Sequence, residues 1–235
     1  MFILNVFILD VYNSLTIHAI SYLCENNLKQ TLADMGRQSM LSTLSGQFWS
    51  RFAYNINGHE FSLDDIEHGI LRGNRAHPST LFNLIMARRL HLNMFSHNDP
   101  RLKYMVKKFD PRIHFALNCG ASSCPPISVY TPDNVDLGLE RASVSFINSS
   151  ETVLDMNAKQ IQLSSLFKWY KSDFNDETSE ESHNLSEDQR MLKFVAKYLQ
   201  LKESADMKEF HRLIDENKMK ITYAKYNWTM NVMNE

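Results

Sequence analysis

The chain has 235 residues, 43% of them hydrophobic, and a formal charge of −2. That length can bury a core in one domain or two, and the near-neutral balance gives no global attraction to nucleic acid or an anionic membrane. Three cysteines without regular spacing make no disulfide framework and point to a reducing, intracellular compartment.

The N-terminal MFILNVFILD is apolar but lacks a cationic start and a small-residue cleavage site, and is too short to span a membrane. Ile8, Val11, Tyr12, Leu15, Ala19, Tyr22 and Leu23 recur at helical spacing and predict a helix over 7–26. Its other side carries Asn13, Ile17, Ile20 and Cys24, so the helix is expected to be central. A chain that opens inside such an element is expected to be a fragment. Residues 48–61 alternate weakly about Asn57-Gly58, which predicts a hairpin.

Ser62 then caps a helix over 62–72, with Asp64 and Asp65 at the positive end of its dipole. Leu63, Ile66 and Ile70 share one arc, and Glu67 falls inside it. A carboxylate on an apolar face costs several kcal/mol in rough terms unless it has a partner or lines a cavity. Arg112 is the expected partner, in a buried ion pair, and His68 is expected to face elsewhere. Residues 81–92 read as a helix in the most basic region, where Arg88, Arg89, Arg101, Lys103, Lys107 and Lys108 are expected to be solvated.

Residues 110–127, DPRIHFALNCGASSCPPI, concentrate the chemistry-bearing side chains. Ile113, Phe115, Leu117 and Cys119 alternate with Arg112, His114, Ala116 and Asn118, which predicts a strand over 113–119. Pro125 and Pro126 end any ladder, so 120–126 is a turn. Asp133 or Asn134 caps a following helix, and 152–163 reads as a hairpin about Asn157. Leu163, Leu166, Phe167, Tyr170 and Phe174 form a helical stripe. Residues 172–189, without lysine or arginine, read as a mobile loop, and Ser186 with Gln189 resembles a capping box. Two helices and a short strand over 221–223 follow. The whole reads as an α+β fold, a mainly helical single domain over 1–235 around a small β-sheet.

Several blocks in this order resemble the domain-of-unknown-function 547 family. They are FILDVYNSLTIHAI (7–20, with Asp10 where asparagine is usual), FSLDDIEHGILR (61–72) and DPRIHFALNCGASSCPPISVYTP (110–132). SSLFKWYKSDF (164–174) and YNWTMN (226–231) complete the set; 76–109 is its weakest part. The resemblance implies no settled activity. It implies relatives that sit downstream of DEP and glutaredoxin-like domains in animals, or carry a leucine-zipper region in plants. Neither region is present here, nor is a Cys-x-x-Cys motif.

Two functions follow as expectations. The favoured one is a binding or scaffolding module for a protein partner in multidomain signalling or redox-linked proteins, cytoplasmic, without nucleic acid, membrane or cofactor. The alternative is a thiol-dependent hydrolase or transferase. There Cys124 would attack, His114 would take the proton, and Asn118 or Glu67 would orient the imidazole. Backbone N–H groups of 120–123 would stabilise an oxyanion. Opposite strand faces for His114 and Cys119 make Cys119 the core residue and Cys124 the nucleophile. A Cys119–Cys124 disulfide is a further option, and a zinc site on Cys119, Cys124 and His114 a loose one. His18 is expected to be an interior, hydrogen-bonded histidine. Tyr12, Asn13, Trp228 and Asn231 suit packing.

Overall fold

The computed structural model describes residues 2–26, 48–78, 93–175, 184–201 and 203–230. The helix expected over 81–92 lies outside them. The chain folds as two compact units, Met1–Leu139 with Asn227–Glu235, and Glu140–Tyr226. The architecture is α+β and mainly helical, with small sheets.

In the first unit, α1 (Phe2–Glu25) is a core helix. Leu9, Tyr12, Leu15, Ala19 and Leu23 are buried, as are the polar Asn13 and Thr16. Residues Val6–Glu25 are long and apolar enough to cross a membrane by length and composition, yet half of that stretch is buried inside the fold. Thr16 satisfies its hydroxyl on the Tyr12 carbonyl at 3.1 Å. His18 bonds the Tyr54 hydroxyl at 3.2 Å but is exposed, not interior, because it falls on the outer arc with Ile17.

A short α2 (Phe48–Arg51) leads into the hairpin of β1 (Ala53–Ile56) and β2 (His59–Ser62). Its two-residue turn has positive φ at both Asn57 (53°) and Gly58 (80°), the twist that antiparallel strands require. Ser62 and Asp65 then cap each other. The Asp65 N–H donates to Ser62 Oγ at 3.1 Å, and the Ser62 N–H donates to Asp65 Oδ2 at 3.0 Å.

The helix that follows is a π-helix, Asp65–Leu71. Its five-residue hydrogen bonds continue past the end, from Arg72 N to Glu67 O (2.8 Å) and from Asn74 N to Gly69 O (3.2 Å). Left-handed residues at Gly73 and Asn74 stop it. Ile66, Ile70 and Leu71 enter the core. The Asn74 amide then grips the backbone of Phe95 from both sides, at 2.6 and 3.1 Å.

In the second unit, α3 (Val135–Ile147) contributes residues 140–147. A three-stranded sheet has the order β3 (Val153–Asp155), β4 (Gln160–Leu163), β5 (Lys220–Tyr223). The first pair is the expected hairpin; the second pair is parallel, with Ile161 opposite Ile221. A short α4 (Ser165–Trp169) follows β4. Of the loop expected over 172–189, residues 176–183 lie outside the described residues; before them, Asp173 and Phe174 are buried in a 3-10 turn. Ser186 and Gln189 form the expected capping box for α5 (Glu187–Tyr198), which with α6 (Ser204–Asp215) buries Met191, Val195, Phe210 and Leu213.

Gly69 tests the packing. A Cβ there would lie 2.2 Å from the ring of Phe95, itself 2% exposed and held by Asn74. Gly69→Ala should gain about 1 kcal/mol in helix propensity and lose about 1–3 kcal/mol to overpacking. The immobile ring makes the loss dominate, so a urea melt should show net destabilisation.

Candidate functional site

The strand expected over 113–119 is not formed. Pro111–Phe115 is a 3-10 helix, capped by Asp110, whose side chain accepts the Arg112 N–H at 3.0 Å. Asp-Pro is a helix start, because proline pre-sets φ and needs no partner for its missing N–H. Ile113, His114 and Phe115 are consequently all buried, and the two-faced argument separating His114 from Cys119 no longer applies. His114 lies beside the Phe109 ring, with centroids 6.1 Å apart.

Asn118 organises the loop. Its Nδ2 donates to the Pro125 carbonyl at 2.7 Å, and its Oδ1 accepts the Gly120 N–H at 2.8 Å. Asn13 on α1 holds Asn118 in turn: Asn13 Oδ1 accepts the Asn118 N–H at 3.0 Å, and Asn13 Nδ2 donates to Ala116 O at 3.0 Å. Gly120 sits at φ 92°, a left-handed conformation that favours glycine, and a Cβ there would also press on the tip of the Ile20 side chain.

Cys119 and Cys124 are joined as a disulfide, with Cα atoms 6.2 Å apart, inside the usual range. The Cys119 N–H also points at Cys124 Sγ at 3.1 Å. Of the backbone donors expected over 120–123 to form an oxyanion hole, Gly120, Ser122 and Ser123 have acceptors, as does the neighbouring Cys124. Gly120 donates to Asn118, Ser122 to Thr229 O (2.8 Å), Ser123 to Asn227 O (3.3 Å) and Cys124 to Ala121 O (3.0 Å). Ala121 bridges to Met230, and Ser123 Oγ accepts the Asn227 N–H at 3.0 Å. The loop is a clasp that holds residues 227–230 as a short β-like segment. Trp49 and Trp228 meet edge to face nearby, 5.8 Å apart.

Glu67 finds its partner on α1: the Tyr12 hydroxyl donates to Glu67 Oε2 at 3.1 Å. Arg112, the partner expected for it, bonds Asp110 and Asp136, each at 2.7 Å. Of the four candidate residues, Asn118 and Cys124 share the clasp, His114 lies in the 3-10 turn before it, and Glu67 belongs to a second cluster on the π-helix.

Three potential metal ligands meet in that second cluster, Asp64, His68 and His77, with donor atoms within 4.8 Å of one another. Asp64 Oδ1 is 3.8 Å from Nε2 of each histidine, and the two imidazoles stack edge to face at 4.5 Å. Arg72 Nη1 lies 2.9 Å from His68 Nδ1 and donates to Ala76 O at 2.9 Å. Burial, followed by the charges of Glu67 and Asp65, pushes the Asp64 carboxyl up to about 7. Burial lowers His77 below the ordinary histidine value. Sequence reasoning placed Asp64 only as a dipole partner and His68 on a separate side. The Asp-x3-His spacing, one helical turn apart, was the available signal; His77 arrives only through the reversal at Gly73 and Asn74.

Residues 5–147 match the family model described as "Protein of unknown function, DUF547". The chain belongs to that family, and the match includes both clusters but ends before 164–174 and 226–231. No curated protein and no solved structure matches the chain.

Two outcomes check this geometry. Asn118→Ala strands the Pro125 carbonyl and the Gly120 N–H, each worth about 1–3 kcal/mol when buried unpaired, and the unfolding free energy should fall by about 2–4 kcal/mol. Asp64 has a folded-state pKa raised from 3.8 to about 7. Its stabilising contribution is therefore full below pH 4 and lost as pH rises through 7. Urea melts of metal-free protein at pH 5 and 8 should show wild type losing roughly 2–3 kcal/mol relative to Asp64→Asn.

Proposed function

We propose that the chain is a protein-binding module, the scaffold part of a multidomain protein that works beside DEP or glutaredoxin-like domains. The observation that carries this reading is the closed cysteine clasp. Both sulfurs are bonded, and the N–H groups of Gly120, Ser122, Ser123 and Cys124 already have acceptors. An acyl-transfer enzyme needs a free thiolate and donors aimed at a developing oxyanion. The loop after the clasp instead exposes apolar side chains: Ile127 (41%), Val129 (79%) and, at the start of α3, Leu137 (52%). Tyr130 anchors this loop under α3, where a Cβ on Gly138 would touch its ring at 2.9 Å. Exposed apolar groups on a fixed support suit a protein partner. The net charge of −2 gives no pull toward nucleic acid or an anionic membrane.

One observation favours the cysteine-dependent alternative. In a reduced loop, the Cys119 N–H would stabilise a thiolate at Cys124. Alkylation of the full chain with and without reductant separates the two. The binding reading expects no labelling of Cys124 before reduction, then a thiol pKa near the ordinary value of about 8.5, insensitive to His114→Ala. Stoichiometric acylation of Cys124 by a thioester or activated-amide probe, lost in His114→Ala, overturns it. Val129→Asp and Leu137→Asp should leave stability within about 0.5 kcal/mol and reduce cross-linking to the partner of the full-length protein.

A further inference from the structure

We propose that Asp64, His68 and His77, three ligands among the described residues, form a zinc-type divalent-cation site with Glu67 and Tyr12 as its outer hydrogen-bonded layer. This inference is independent of the binding-module reading, because none of these residues belongs to the cysteine clasp.

The donor set comes first. Two imidazole nitrogens and one carboxylate oxygen suit zinc or a similar late divalent metal, whereas calcium and magnesium favour all-oxygen sites. Metal–ligand bonds of about 2.0–2.1 Å in a tetrahedron place donor atoms about 3.4 Å apart. The observed 3.8 Å from Asp64 Oδ1 to each Nε2 is close to that. Side-chain rotations of a few tenths of an ångström to about one ångström close the set around an ion. The ligands are held by the backbone: Asp64 and His68 stand one turn apart at the start of the π-helix, and His77 follows its left-handed stop. His68 is almost fully enclosed, while His77 and Asp64 retain 23% and 15% exposure, which leaves an approach for the ion and for a fourth ligand.

The charges around the site also matter. Asp64, Asp65 and Glu67 crowd the first turn, and Asp65 is neutralised by Arg101 at 3.1 Å. Arg72 is the cation of the cluster, on His68 Nδ1. A guanidinium only donates, so His68 Nδ1 accepts and its Nε2 carries the hydrogen, facing Asp64. A metal at Nε2 needs the other tautomer, with the proton on Nδ1. The acceptor for that proton is already beside it: Glu67 Oε1 lies 3.9 Å from His68 Nδ1, and Tyr12 holds the opposite oxygen, Oε2, at 3.1 Å. Loading therefore exchanges an Arg72–His68 contact for a Glu67–His68 contact. The result is a carboxylate–histidine–metal relay, while Arg72 keeps its bond to Ala76 O.

The test uses the full chain, tag removed and stripped with chelator, titrated calorimetrically with zinc, calcium and magnesium, and spectroscopically with cobalt(II). One equivalent of zinc should bind with Kd at or below about 10⁻⁶ M, as expected of a three-ligand protein site, with calcium and magnesium far weaker. Cobalt should give tetrahedral d–d bands without thiolate charge transfer. Zinc affinity should fall by more than about 100-fold in His77→Ala, and by about 10–100-fold in Glu67→Gln. Circular dichroism checks the fold of each variant, and the wild-type cobalt spectrum decides independently of them. Absence of stoichiometric zinc binding, unchanged affinity in a folded His77→Ala, or a thiolate charge-transfer band overturns the proposal.

Discussion

The fold of the first unit depends on a single buried amide, Asn13. It sits near the middle of the core helix α1, on its buried side, where an unsatisfied amide would cost about 1–3 kcal/mol per lost hydrogen bond. Its two polar ends close on Ala116 O and the Asn118 N–H, so α1 fixes the backbone of 116–118. Asn118 then fixes Gly120 and Pro125, the disulfide closes the turn between them, and the turn holds 227–229. Each link is a satisfied polar group in apolar surroundings, so breaking one leaves the next unsupported. Tyr12, the neighbour of Asn13, extends the same logic to Glu67. Two consecutive residues of α1 thus position both clusters.

The π-helix is the second organising constraint. Its wider turn closes the backbone from Glu67 to Arg72 and from Gly69 to Asn74. Along it, Asp64, His68 and Arg72 follow one another at four-residue steps and interact pairwise. Such segments carry poorer packing than α-helices and recur at functional sites. Here the compensation is visible: Gly69 admits the Phe95 ring, and Asn74 fixes the backbone that carries it.

The second unit is built on more regular rules. Its helices α5 and α6 are amphipathic, its capping box is complete, and its sheet pairs Leu154, Ile161 and Ile221 across three strands. The family match ends at residue 147, so the residues that define the family are mainly those of the first unit.

Local patterns were legible wherever the deciding interaction lay within a few residues. The Asn57-Gly58 turn, the Ser186–Gln189 box, the amphipathic stripes and the hairpin about Asn157 all follow from nearest-neighbour chemistry. Alternation misled at 113–119, because burial of Ile113, His114 and Phe115 together comes from a 3-10 turn begun by Asp110-Pro111, not from a pleated face. The sequence alone determined the family, the mainly helical α+β class and the concentration of chemistry between Asp110 and Ile127. Tertiary structure alone decided that Glu67 meets Tyr12 and that the Ser122 and Ser123 N–H groups are taken up by Thr229 and Asn227. It also brought His77 to Asp64 and His68. Those contacts join residues far apart in the chain or separated by a left-handed reversal, and no local periodicity encodes such a meeting.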